Sequence, residues 1–477
     1  MSGSNLKTKT ASGLFWGAMN NGLQQLVGAV VGLVLLSRLT PGDYGITAML
    51  AIFTAIAATL QEGGFKAALI NRGEIRAEDH NAVFWFSTAL SCAIYLVLFA
   101  FAGAIARFYN QPELVRVSRV LFLSFVFVSV SISSDALLLR KMMIRQRAAM
   151  DIAGAVVAGI VAILMAVRGC GYWALVAHSV VQSAVTSLLK LVFSPWKPSL
   201  KINLRPVWEM FPFGFKLVIS SFVTQVHTNI FSVILGRAYT KAEVGFYSQG
   251  SKWASMANQV FCGMLTSVEQ PVLSSTSEEP QRRTAILRKL TRFMAYIACP
   301  SMLALALVAP EFINIINPEF SQSVPILRIY CLYYLATLAH TMFNQAAMSY
   351  GRSGRYLVFT LCNAALQIAA ALVTYRYGLI AMAASLTAVN YIAVSIWYCL
   401  LHKAIGANYG QLMADILPFF LLAALCTAAA HFALLRLHGD LLRLVLQLAV
   451  TGGLYIALTC RTQTFRDVLT YIKKREL

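Results

Sequence analysis

The sequence predicts an all-α, polytopic membrane protein of about fourteen spans, built as two pseudo-symmetric six-helix bundles followed by two C-terminal helices. Composition, the length of the apolar runs and an internal echo some 200 residues apart carry that reading. Hydrophobic residues make up 58% of 477 and charged residues 12%, with a mean hydropathy of +0.67. That balance lies outside the range of ordinary soluble domains. Runs long enough to cross hydrocarbon fall at 11–37, 44–62, 82–106, 117–138, 149–167, 172–193, 212–236, 244–270, 288–314, 322–347, 355–374, 378–401, 413–435 and 441–460. Only short loops separate them. A barrel would instead need alternating segments of about ten residues.

The echo divides these spans. "LLSRLTPGDYG" (35–45) follows the first, and "ILGRAYTKAEVG" (234–245) follows the seventh. Arg38 pairs with Arg237, Asp43 with Glu243 and Gly45 with Gly245, the two glycines offset by 200 residues. A second echo sets "RGCGYWALVA" (168–177) against "RYGLIAMAA" (376–384), with Gly171 and Gly378 offset by 207. The expected organisation is a first bundle over 1–194, a cytoplasmic linker over 195–211, a second bundle over 212–403, and two further helices with a tail over 404–477. Repeats of equal orientation are related by an axis along the membrane normal, and rocking one against the other exposes a central cleft to either side.

The net charge of +20 is topological and not a nucleic-acid footprint. With the amino terminus in the cytoplasm, roughly 26 of the 39 Lys and Arg face that side and roughly 10 the other, the positive-inside pattern. Both termini are expected in the cytoplasm, and the first span serves as an uncleaved anchor. The nine cysteines are scattered without CxxC spacing and read as packing residues, with no metal role.

Polar groups inside spans mark candidate sites, because a charge at mid-bilayer costs about 2.5–3.5 kcal/mol on insertion scales and usually faces a cavity or a partner. "SQGSKWASMANQVFCGMLTSVEQP" (248–271) sets Lys252, Ser255 and Gln259 on one polar stripe. Asn20 with Gln24 and Asn21 with Gln25 are spaced i, i+4 in the first span; interhelical glue is the alternative to a wet wall. Lys216 and Arg328 could meet an anion, or could reach the headgroups. Asp135, Glu269 and His227 could carry a coupling H⁺ or Na⁺; the carboxylates could equally neutralise the local arginines, Arg140 in particular. Neither a phosphate-cradling Gly-rich loop nor a paired acid and base stands out, so ATP-driven transport and catalysis are disfavoured and no cofactor is expected.

"LSRLTPGDYGITAM", "EGGFKAALINR" (62–72), "ARFYNQPEL" (106–114), "ALLLRKMMIRQRAAMDI" (136–152) and "GCGYWALVAHSVV" (169–181) together resemble the bacterial polysaccharide transporters of the Wzx type. These belong to the multidrug/oligosaccharidyl-lipid/polysaccharide (MOP) superfamily, in the branch with colanic-acid and teichuronic-acid exporters. The resemblance implies the MOP flippase fold, a place in the bacterial inner membrane, and alternating-access translocation of an undecaprenyl-diphosphate-linked repeat unit. Implied partners are that polyprenyl-diphosphate oligosaccharide lipid, membrane lipids and the polysaccharide polymerase or export machinery. Lipid II flippases of the same superfamily carry arginines in the first span where this chain has amides, so Lys252 is the nearest counterpart of their anion site. A MATE-like drug or cation exporter is the alternative; an assembly scaffold or membrane ligase is a third reading.

Overall fold

The computed structural model describes residues 3–62, 64–72, 76–200, 203–275, 280–349, 353–405, 408–437 and 439–466. Among them the chain is helical almost throughout, and twelve stretches are long and apolar enough to cross a membrane. The protein is a multi-pass membrane protein. Two of the fourteen expected spans, 212–236 and 244–270, fall on long helices whose side chains are described only in part. The chain divides into two compact units, Met1–Gly245 and Phe246–Leu477.

The first unit contains α1 (Gly3–Leu36), α2 (Pro41–Met49), α3 (Ala51–Glu62), α4 (Phe65–Asn71), α5 (Ala77–Tyr109), α6 (Leu114–Leu121), α7 (Leu123–Arg140), α8 (Ile144–Val167), α9 (Trp173–Phe193) and α10 (Arg205–Ala238). The second expected span is thus a broken one. It starts at Pro41, pauses at Leu50 and resumes as α3; α4 lies beyond its expected end and follows Gly64, whose φ of 69° lies in the left-handed region. Helix α8 packs against both α1 and α9. Its buried face repeats small residues, Ala155, Ala158, Gly159, Ala162 and Ala166. Small residues let helices approach closely in lipid, where no hydrophobic force drives them together. A methyl group added at Gly159 would stand 2.5 Å from a Val31 methyl of α1. The seventh span, α10, packs on α3, α4 and α5 and so sits in the first compact unit, although the sequence echo begins a new half there.

Helix α11 (Lys241–Ser275) straddles the division. The second unit continues with α12 (Pro280–Ile316), α13 (Ser323–Ser349), α14 (Ser353–Thr374), α15 (Leu379–Ile405), α16 (Tyr409–Ala433) and α17 (Asp440–Thr459). In it α15 packs on α13 and α14, and the C-terminal pair α16 and α17 packs on α12. Trp397 is fully buried, stacked on Phe359 at 4.3 Å, and donates its indole N–H to Asn344 at 2.9 Å.

Helix α12 contains Pro300 and Pro310, each of which leaves the carbonyl four residues earlier without its helical donor. Both carbonyls have side-chain partners. The Tyr455 hydroxyl of α17 donates to Tyr296 O at 3.0 Å, and Arg328 Nε of α13 donates to Ala306 O at 3.0 Å. A carbonyl buried in lipid without a donor is costly. Tyr455→Phe is therefore expected to lower stability by roughly 1–3 kcal/mol, read as a drop in the thermal midpoint in detergent. Arg328→Ala should cost less, since Arg328 is exposed and water can take its place.

Candidate functional site

Both sequence echoes have a structural counterpart. Thr40 caps α2: its backbone N–H and hydroxyl bond Asp43 Oδ2 at 2.9 and 2.7 Å, and Asp43 N–H returns to Thr40 Oγ1 at 3.4 Å. Thr240 and Glu243 repeat this box at the start of α11 with distances of 2.9, 2.8 and 3.3 Å. The acid two residues before each glycine is thus the third residue of a capping box. Gly171 and Gly378 have φ of +56° and +97°, and each precedes the start of a helix by one or two residues, α9 and α15 respectively. The two motifs of the first unit also meet, since Tyr172 N–H donates to Asp43 Oδ1 at 2.9 Å.

In α1, Asn20 is buried and accepts from Gln24 Nε2 at 3.0 Å. Gln25 is half-buried and Asn21 exposed. One of the two i, i+4 pairs is therefore closed on itself. Asp135 lies near the end of α7 and is almost wholly buried. It receives Lys66 Nζ from α4 at 2.7 Å, Arg147 Nε from α8 at 2.7 Å and Lys190 Nζ from α9 at 2.8 Å. Lys190, also buried, makes a second ion pair to Asp151 of α8 at 2.8 Å. Three cations and two carboxylates thus tie four helices together. Arg140, the partner anticipated from sequence, instead donates to the carbonyls of Leu69, Ile70 and Arg72. It thereby closes the carbonyl end of α4.

In the second unit Lys252 is half-buried on α11. Its ammonium stands 5.9 Å from the Trp253 ring centroid, and among the described residues it forms no ion pair. Ser255 accepts from Gln259 Nε2 at 3.3 Å. One turn further, Cys262 lies 3.6 Å from Asn258 Oδ1 and 3.7 Å from Thr341 Oγ1. The polar stripe therefore follows α13. The tyrosines of "YCLYYLAT" line that contact: Tyr330 shares a short hydrogen bond with Tyr247 of α11, and Tyr333 donates to Gln367 of α14 at 3.4 Å. His340 donates from Nε2 to Asn390 O at 3.1 Å.

The structure thus brings Lys252, Ser255 and Gln259 onto one helix face and engages Arg328 at the Ala306 carbonyl that Pro310 leaves free. The side chains of Lys216, His227 and Glu269 lie outside the described residues. Sequence reasoning missed Lys66, Arg147 and Lys190 as partners of Asp135, and Asp151 as the second partner of Lys190. The available signal was Lys190, a lysine in the last turn of an apolar span, where reaching for the headgroups is the ordinary reading. It also missed the tyrosine wall, whose signal is the Y-x-x-Y-Y spacing of one helix face.

The backbone has the MOP flippase fold. The backbone superposes on that of the lipid II flippase MurJ in an inward closed conformation with a TM-score of 0.75, at 14% identity, over 94% of this chain and 99% of that one. An inward-facing MATE family multidrug resistance transporter superposes with a TM-score of 0.64 at 15% identity, over 82% and 98%. Residues 35–325 match the polysaccharide biosynthesis protein family, and the chain belongs to that family. Among its relatives, the lipopolysaccharide biosynthesis protein WzxC of Escherichia coli is 23% identical over 91% of this chain and 90% of that protein. The succinoglycan biosynthesis transport protein ExoT of Rhizobium meliloti is 24% identical over 63% of this chain, and the match spans 61% of ExoT. The teichuronic acid biosynthesis protein TuaB of Bacillus subtilis is 22% identical over 85% and 86%.

Proposed function

We infer that the protein is a flippase that moves a polyprenyl-diphosphate-linked oligosaccharide across the bacterial inner membrane by alternating access, for exopolysaccharide, O-antigen or capsule assembly. The observation that carries this reading is Lys252, an intramembrane cation that forms no ion pair among the described residues and heads a polar stripe in a chain of the polysaccharide family. An ammonium with no described ion pair suits an anionic cargo such as a diphosphate, and the amides and hydroxyls of α11 suit a sugar, as separately do Asn20, Asn21, Gln24 and Gln25 of α1. Lys216 and Arg328 are the further candidates for the phosphates. The polyprenyl chain stays in lipid. On this reading both termini are cytoplasmic, and the polymerase or export machinery takes up the product.

An ion gradient of H⁺ or Na⁺ is a candidate driving force, with His227 and Glu269 as candidate carriers. Asp135 suits that role poorly, because three cations hold its carboxylate and would have to be displaced before it bound a proton or sodium. A MATE-like exporter of cations shares the fold, and an experiment separates the two. In proteoliposomes of the full chain, undecaprenyl-diphosphate oligosaccharide placed in one leaflet should become accessible to an enzyme outside. A cationic dye should not be moved. Dye transport without glycan translocation would overturn the reading.

A further inference from the structure

The second unit carries a cation cluster that the transport reading does not use. Asp415, in the second turn of α16, is 3% exposed and meets two arginines of α12 spaced i, i+4. Arg288 holds it with a fork, donating from Nε to Oδ2 at 2.7 Å and from Nη2 to Oδ1 at 3.1 Å. Arg292 donates from Nε to Oδ1 at 2.5 Å. Two guanidiniums on one carboxylate leave a surplus positive charge. Each guanidinium has five N–H groups. Arg288 commits two and Arg292 one, and the rest have no protein partner among the described residues. The two side chains are 28% and 44% exposed, so these N–H groups can be reached from outside the helix pair. More cations gather at the same end. The Tyr296 hydroxyl, one turn beyond Arg292, lies 3.3 Å from Thr459 Oγ1 at the end of α17, and Phe465 packs against the cluster of Ala295, Tyr296, Cys299 and Ala423. The segment carrying Arg461 and Arg466 is thereby folded onto the end of α12 and α16 where Arg288, Lys289 and Arg292 lie. Asp415 is the one carboxylate described at this end of the unit.

The apolar stretch of α12 begins at Thr284. Arg288 and Arg292 therefore stand in the first turns of the span, at headgroup depth, on the cytoplasmic side in the orientation proposed above. We propose that these two arginines, held by Asp415, form a binding site for the phosphate of an anionic phospholipid of the inner leaflet, with a lipid of two phosphates bound most tightly. A planar guanidinium matches phosphate oxygens two at a time. The buried carboxylate fixes both side chains beforehand, so little rotamer freedom remains to be lost on binding. Basic pockets between helices on the cytoplasmic side take such headgroups. The site lies where α16, the first helix of the C-terminal pair, packs on α12. A lipid bound there binds the folded protein alone and so stabilises that docking. None of the candidate cargo residues belongs to this cluster, and its test needs no cargo.

The experiment uses the full chain, delipidated in a neutral detergent, with cardiolipin, phosphatidylglycerol or phosphatidylcholine added singly. Bound lipid is read by native mass spectrometry and stabilisation by the thermal midpoint. Cardiolipin should bind saturably and raise the midpoint, phosphatidylglycerol should do so less, and phosphatidylcholine should leave it unchanged. Arg292→Gln leaves the Arg288 fork on Asp415 in place, so the helix pair is kept while the surplus charge is removed. It should weaken cardiolipin binding about fivefold or more. Arg205→Gln removes a cation that is 86% exposed at the start of α10, and should bind cardiolipin as the wild type does. Equal cardiolipin affinity in wild type and Arg292→Gln, or equal losses in Arg292→Gln and Arg205→Gln, would overturn the site. Inorganic diphosphate is the second arm. It should neither raise the midpoint nor displace cardiolipin at the concentration where the lipid saturates. Displacement there would show a site for a free phosphate group and overturn the lipid assignment.

Discussion

Asp135→Asn is expected to destabilise the protein by roughly 3–5 kcal/mol, the cost of removing one partner from a buried ion pair. The wild-type carboxylate is shared by Lys66, Arg147 and Lys190 at 2.7, 2.7 and 2.8 Å. The amide keeps the shape but removes the charge that the three cations share, leaving Lys190 its pair with Asp151. Lys66 and Arg147 are each about a quarter exposed and Lys190 is buried, so the first two can turn toward water while Lys190 cannot. The loss should therefore be visible as a lower thermal midpoint in detergent and a lower yield of monodisperse protein. Adding Lys190→Met should not restore the yield, because it strips Asp151 of its described ion pair as well. A midpoint within a degree of wild type for Asp135→Asn would show that the cluster is not a structural tie.

Lys252→Met is expected to do the reverse: to reduce translocation tenfold or more while leaving the thermal midpoint unchanged or raised. Lys252 has no ion pair among the described residues; a charge at mid-bilayer costs about 2.5–3.5 kcal/mol on insertion scales, and methionine removes that cost while keeping the length of the stem. Loss of a charge-assisted contact to a phosphate is worth about 1.5–3 kcal/mol, hence tenfold or more in the equilibrium it supports. Lys252→Arg should keep part of the activity, since the positive charge survives. Normal translocation by Lys252→Met would remove this lysine from the site. The opposite signatures of the two variants separate a structural charge from a working one.

Much of the architecture was legible in the chain. The apolar runs marked the helices because lipid leaves the backbone no alternative partner for its polar groups. The repeated Thr-x-x-acid-x-Gly motif was found by comparing the chain with itself, and its acids proved to be capping residues, a purely local device. The polar stripe of α11 was legible through its spacing, and Ser255 and Gln259 do lie together on it. Lys66, Arg147 and Lys190 were not legible as one cluster. They come from three helices separated by up to 124 positions in the chain, and no periodicity connects them. Arg328 shows the same limit differently. It pointed to an anion or a headgroup until the Pro310 kink supplied a carbonyl for its Nε.

From the sequence alone follow the membrane class, the near-total helicity and the repeat, because these depend on composition, on run length and on residues a few positions apart. Only the tertiary structure decided which charges neutralise one another and which carbonyls freed by proline find donors. Such pairings depend on distances of about 3 Å between residues far apart in the chain. Helix packing sets those distances, and no local pattern encodes them.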